Sequence, residues 1–112
     1  MAVTALSSGT QTATVTTEHF LANVDAAGVY VFEVDTNAMV AGDVLELRAY
    51  KMILTGGTAR VESVQTYYGV QDVPIKRSFP LSNELTDSQS LRFSLKQTFG
   101  TSRDFPWKVL KH

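Results

Sequence analysis

Residues 91–98 read LRFSLKQT, and their alternation decides the fold. Leu91, Phe93 and Leu95 fall on one side of an extended chain, and Arg92, Ser94 and Lys96 on the other. A repeat of two is the mark of a half-buried β-strand; an amphipathic helix would space its apolar residues by three and four. The same period recurs on both sides of this stretch. In VYVFEVD (29–35), Tyr30, Phe32 and Val34 share a face opposite Val29, Val31, Glu33 and Asp35. In VLELRAY (44–50), Leu45, Leu47 and Ala49 oppose Glu46, Arg48 and Tyr50.

Further β-rich runs are TATVTTEHFLANV (12–24), ARVESVQTYYGV (59–70), the segment around PIKRSF (74–79) and FPWKVL (105–110). No window sustains a helical stripe. The expected fold is therefore all-β: an antiparallel β-sandwich or jelly roll of about seven or eight short strands. DAAG (25–28) and AGD (41–43) punctuate it, and DTNAM (35–39) has the composition of a single helical turn. Pro74 and Pro80 bracket an edge-like strand, since proline cannot donate to a central ladder. LSNELTDSQS (81–90) reads as the longest polar loop.

MILTGGTARV (52–61) reads as a hairpin. A Gly56-Gly57 pair suits a two-residue primed turn, which needs positive φ at both positions. That register sets Thr55 opposite Thr58, Lys51 opposite Glu62, Ala49 opposite Val64 and Leu47 opposite Thr66. Met52 and Val61 then meet on the face opposite Leu47. Either a bulge rotates the strand there, or the tip projects with apolar residues on both sides, as a surface that touches another chain. GTAR (57–60) and GTSR (100–103) each place a glycine turn before an arginine, which predicts two hairpins of similar shape.

The bulk composition narrows the function. A chain of 112 residues is one domain, large enough to bury about two thirds of its unfolded surface. With no cysteine, disulfides, thiolate metal sites and cysteine nucleophiles are excluded. The first residues lack the basic and apolar regions of a signal peptide, and no apolar run approaches a membrane span, so a soluble cytoplasmic product is expected. A net charge of −1 argues against a general polyanion binder. Residues 1–47 carry six acids and no Lys or Arg, while residues 48–112 carry ten basic residues against five acids. Either acidic and basic strands pair locally within a sheet, or opposed charged faces suit contact between copies.

Catalytic and metal motifs are missing: no G-x-S-x-G, P-loop, G-x-G-x-x-G or H-E-x-x-H occurs. Glu18 and His19 point to opposite faces of their strand, and Asp35, Asn37 and Asp43 lack calcium-loop spacing. No enzyme activity, metal or cofactor is expected. The ending LKQTFGTSRDFPWKVLKH (95–112) mixes Lys96, Arg103, Lys108 and Lys111 with Phe99, Phe105 and Trp107, as a single-strand nucleic-acid platform would. Alternation, however, puts Phe105, Trp107 and Val109 on one face and Lys108 on the other. The ending therefore reads as a structural strand anchored by Trp107, with Pro106 placing it at an edge or bulge. Exposed Tyr50, Tyr67 and Tyr68 offer a different reading, a carbohydrate-binding module.

Residues 1–17 contain no charged side chain. They read as an N-terminal arm preceding one sandwich domain at 18–112, pairing either with its own sheet or with a neighbour's edge. Candidate protein-contact residues are Val3, Leu6 and Val15 on the arm, and Met52, Ile53, Leu54 and Arg60 on the hairpin tip.

Three stretches, GVYVFEVDTNAMVAGDVLELRAY (28–50), LTGGTAR (54–60) and LRFSLKQTFGTSRDFPWKVL (91–110), resemble small proteins encoded among the structural genes of tailed bacteriophages. The resemblance runs from about residue 14 to residue 110. It implies a virion protein without catalytic residues, made in the host cytoplasm and carried on the capsid surface as a decoration or cement protein. The implied partners are the major capsid protein or another virion protein, and further copies of the chain in a dimer or trimer. A place in the neck, tail or a fibre fits the same resemblance.

Overall fold

The structure is a computed structural model that describes residues 3–112; Met1 and Ala2 of the arm lie outside them. Nine strands form among these residues: β1 (Thr4–Thr12), β2 (Glu18–Val24), β3 (Gly28–Asp35), β4 (Val44–Lys51), β5 (Arg60–Tyr68), β6 (Ile75–Arg77), β7 (Leu81–Asn83), β8 (Leu91–Phe99) and β9 (Asp104–Lys111). They build two antiparallel sheets, one ordered β1-β9-β3-β6 with β7 also on β3, the other β2-β8-β4-β5. The short β6 and β7 occupy one position beside β3, and with them counted together the order is that of an eight-position jelly roll.

The alternation read from the sequence places the core. Tyr30, Phe32 and Val34 of β3 face Leu45, Leu47 and Ala49 of β4 and Leu91, Phe93 and Leu95 of β8, and all are buried. The Phe32 and Phe93 rings meet at 5.1 Å across the two sheets. Each of the larger side chains contributes about 1.5–3 kcal/mol by leaving water. Phe105 and Val109 join the core from β9, whereas Trp107 is half-buried against it.

Two expectations about the ending are corrected. Strand β9 is not an edge for most of its length, because it runs between β1 and β3. Pro106 is tolerated because the β3 ladder stops at Val34–Trp107, one residue earlier, leaving β1 as the only neighbour there. Nor is GTSR a hairpin. β8 and β9 lie in different sheets, so Gly100–Arg103 is a corner between them. Gly100 sits at φ +99°, and a Cβ at this point would collide with Asp43, so glycine is required twice over.

The β4–β5 register is also shifted, by two residues next to the turn and by one beyond the bulge that the change of phase suggests. Leu47 faces Gln65 and Ala49 faces Ser63, and a bulge after Ala49 then brings Tyr50 to Val61 and Lys51 to Arg60. The turn is not a primed two-residue one. The Gly57 amide donates to the Leu54 carbonyl, and of the two glycines only Gly56 has positive φ, at +76°, in the third turn position. Residues 35–39 make a turn closed by the Met39 amide on the Thr36 carbonyl, not a helical turn. The first three residues of 81–90 are β7 rather than loop. The early β-rich run splits at Ala13–Thr17 into β1 and β2.

The arm joins its own sheet, with β1 antiparallel to β9 from Thr4–Lys111 to Thr12–Asp104. Charges pair locally across the two halves of the sequence, Glu33 with Arg77 and Asp43 with Arg103, while Lys51 pairs with Glu84 within the second half. Loops gather at two ends of the sandwich. At one, the turn after β2, the loop 52–59 and the segment 84–90 are tied by Asn83 Nδ2 to the Ala26 carbonyl at 2.9 Å and by the Gly56 amide to Asp87 at 2.8 Å. At the other, loops 13–17, 36–43, 69–74 and 100–103 converge through the Gly69 amide on the Asp43 carbonyl, the Ala13 amide on the Arg103 carbonyl and the Thr36 amide on the Pro74 carbonyl.

Candidate functional site

Among the described residues, two clusters of ionisable side chains stand out, and both brace the fold. Asp43 is 2 % exposed and accepts from the Val40 amide at 3.0 Å, the Thr101 amide at 3.2 Å and Arg103 Nε at 2.9 Å. Burial pushes this carboxyl up, but the Val40 amide, the Arg103 guanidinium and the Thr101 amide together outweigh it and hold it below its ordinary value. Its contacts pin the β3–β4 loop to the β8–β9 corner. Asp35 instead accepts from the Asn37 amide in its own turn, so the three candidate calcium ligands do not converge.

The second cluster lies on the outer face of the β2-β8-β4-β5 sheet. Glu18 accepts from the Tyr50 and Ser94 hydroxyls, each at 2.5 Å. Burial again acts upward on Glu18; the hydroxyls of Ser94 and Tyr50 and the charges of Arg48 and Lys96 bring it below its ordinary value. Phe20 packs on Tyr50 at 5.6 Å, with the Arg92 guanidinium 3.8 Å over its ring. Glu18, Tyr50, Ser94, Phe20 and Arg92 thus brace β2, β4 and β8 across the outer face of the sheet. His19 turns away from Glu18 and accepts from the Thr14 amide at 3.1 Å.

What stands open is apolar. Val44 of β4 pairs with Tyr68 on one side and with Phe99 on the other, so the three side chains form a row across the end of one sheet. Tyr68 is 71 % exposed and Phe99 66 %. Val40, Val70 and Val73, also exposed, belong to the loops at that same end. Isolated surface hydrophobes are ordinary, but a contiguous group with a polar rim marks a contact surface. The rim is the next row on the sheet, Thr66, Glu46, Lys96 and Glu18. Sequence reasoning treated Tyr68 and Phe99 separately, one as a sugar contact and one as a base-stacking residue. Nothing in the linear order shows that β4 sets them side by side.

The contact residues expected from the sequence separate. Ile53 and Leu54 project from the β4–β5 loop at 74 % and 73 % exposure, and Arg60 is exposed beside them. Ile53 and Arg60 share a groove of about 190 Å³ with Lys51, Val61 and Glu62. Met52 turns inward and is buried, its amide donating to the Ser90 carbonyl at 2.8 Å. Val15 is half-buried in the turn at the opposite end. Val3, just before β1, and Leu6 on β1 are exposed, and Leu6 is the bulged residue that β9 does not pair. Tyr50 and Tyr67 lie at opposite ends of the β4–β5 ladder, so the three tyrosines make no common platform.

No protein-family model matches the chain, no curated protein matches it, and no solved structure does.

Proposed function

We propose that this chain is a non-enzymatic structural protein that acts by seating on a larger protein assembly, as a capsid decoration or cement protein of a tailed bacteriophage. The observation that carries the docking part is the apolar row Tyr68–Val44–Phe99 with Val40, Val70 and Val73 at one end, set against a second apolar point, Ile53–Leu54, at the other. Two contact points at opposite ends suit a protein that bridges neighbouring subunits of a shell. Many weak contacts repeated by symmetry then add through avidity. The phage setting rests on the sequence resemblance alone.

The test is immunogold labelling of particles from cells producing both the phage and this chain. Label over heads supports the proposal, label over necks, tails or fibres moves the protein there, and unlabelled particles overturn it. The double variant Tyr68→Ser, Phe99→Ser is expected to change unfolding free energy by no more than about 0.5 kcal/mol, because both side chains are solvent-exposed. It is also expected to reduce the particle-bound fraction at least tenfold, measured by quantitative blotting of purified particles. Loss of fold stability without loss of attachment would mean that the row is packing, not contact.

A second reading, a saccharide-binding module, has a groove of about 220 Å³ in its favour, lined by Glu33, Val34, Asp35, Ile75, Pro106, Trp107 and Lys108. An apolar floor with a few polar groups is how such sites are built. Glycan-array binding that Asp35→Ala abolishes would support it.

A further inference from the structure

We infer that β1 pairs edge to edge with β1 of a second copy, joining two five-stranded sheets into one continuous sheet across a two-fold axis. This deepens the assembly reading above, since it gives the unit that would seat on a shell. The basis is a comparison of the sheet edges. An edge strand offers unpaired N–H and C=O groups, and soluble proteins blunt such edges with charge, proline, shortness or bulges. At one edge of the β1-β9-β3-β6 sheet, β6 and β7 are three residues each, flanked by Pro74 and Pro80, and β6 carries Lys76 and Arg77. β5 carries Arg60 and Glu62. β2 carries Glu18 and is broken by a bulge between Phe20 and Ala22.

β1 is guarded least. It has nine residues, TALSSGTQT, with no charge and no proline; seven are exposed and none is buried. Its single irregularity, at Leu6, lies near the start, and from Ser7 to Thr12 it pairs with β9 in unbroken register. That leaves six residues of regular backbone with one side open.

The partner is a second β1 and not a strand of another kind for two reasons. An uncharged strand has nothing with which to select a charged partner, whereas antiparallel pairing of identical strands about a two-fold is self-complementary. It also sets the Ser7–Thr12 side chains, four of them Ser or Thr, against their own kind, and Ser/Thr pairs across strands are favourable.

Light scattering coupled to gel filtration tests this on the full chain, which should run as a dimer. Thr10 is exposed and lies at the centre of the open segment. Thr10→Lys brings like charges together across the axis and should raise the dimer dissociation constant on the order of tenfold, and Thr10→Glu should do the same. Mixing the two variants should restore dimer, an outcome that a mere folding defect cannot produce. In the unmodified protein, the Ser7–Thr12 amides not bonded to β9 should exchange with deuterium more slowly as protein concentration rises. A monomer at every concentration, or a dimer unaffected by either charge, overturns the inference. Thr10→Lys protein that still labels phage heads would leave the decoration reading standing without it.

Discussion

Phe93→Ala lowers the free energy of unfolding by about 4 kcal/mol, read as a lower denaturant midpoint at unchanged slope. Phe93 is fully buried on β8, the strand with β2 on one side and β4 on the other. Its ring packs on Phe32 of the opposite sheet, so truncation loses both the transfer energy of the ring and the inter-sheet contact. Both flanking strands are themselves held in their ladders, so the gap cannot collapse cheaply, which places the cost in the upper part of the usual range. The contrasting substitution is Val64→Ala on β5, an exposed position on the outer face, where a change beyond about 0.5 kcal/mol is not expected. Equal losses at the two sites would contradict the face assignment of the sheet.

Asp43→Ala is expected to cost about 3 kcal/mol, because it leaves the Arg103 guanidinium and the Val40 and Thr101 amides without their acceptor. Arg103 keeps partial access to water, which holds the figure at the lower end of the range for broken buried pairs. A double-mutant cycle with Arg103→Met isolates the pair itself, and a coupling below about 0.5 kcal/mol would show that the amides carry the effect. The acid limb gives an independent reading. Because the folded carboxyl lies below its ordinary value, the folded protein binds fewer protons there than the unfolded chain. Its contribution is complete above about pH 4 and is lost as pH falls through the folded value. The stability gap between the unmodified protein and Asp43→Asn should therefore be flat from pH 5 to 8 and narrow below pH 4. A gap that widens in acid would contradict the assignment.

The strands that alternate cleanly were legible in the sequence. β3, β4 and β8 declare their inner faces residue by residue, and Pro74 and Pro80 mark the edge where β6 and β7 lie. Pairing was less legible. The change of phase at Met52 and Val61 did point to the bulge that follows Ala49, but the two-residue turn expected at Gly56-Gly57 is a longer loop, so the pairs read from it are displaced. GTAR and GTSR look alike in sequence, yet Gly57 follows the positive-φ residue of a loop within a sheet, whereas Gly100 is itself at positive φ in a corner between sheets. Asp43 reads as one acid among several until the corner at Gly100–Arg103 folds over it. The apolar row escapes for a related reason: Tyr68 and Phe99 are neighbours only through Val44, a relation set by strand order and not by local pattern.

The position of β9 also bears on how the protein is made. β9 supplies the partner for β1 along its whole length and for most of β3, so one sheet lacks its middle strand until residues 104–111 have left the ribosome. The nascent chain can close the β4–β5 ladder and bring in β8, but β1 must wait until residues 104–111 are made for its mate. Such long-range closure is slow and leaves strand edges exposed. The interval before β9 emerges is therefore the stage at which holding chaperones and low local crowding of nascent chains matter most.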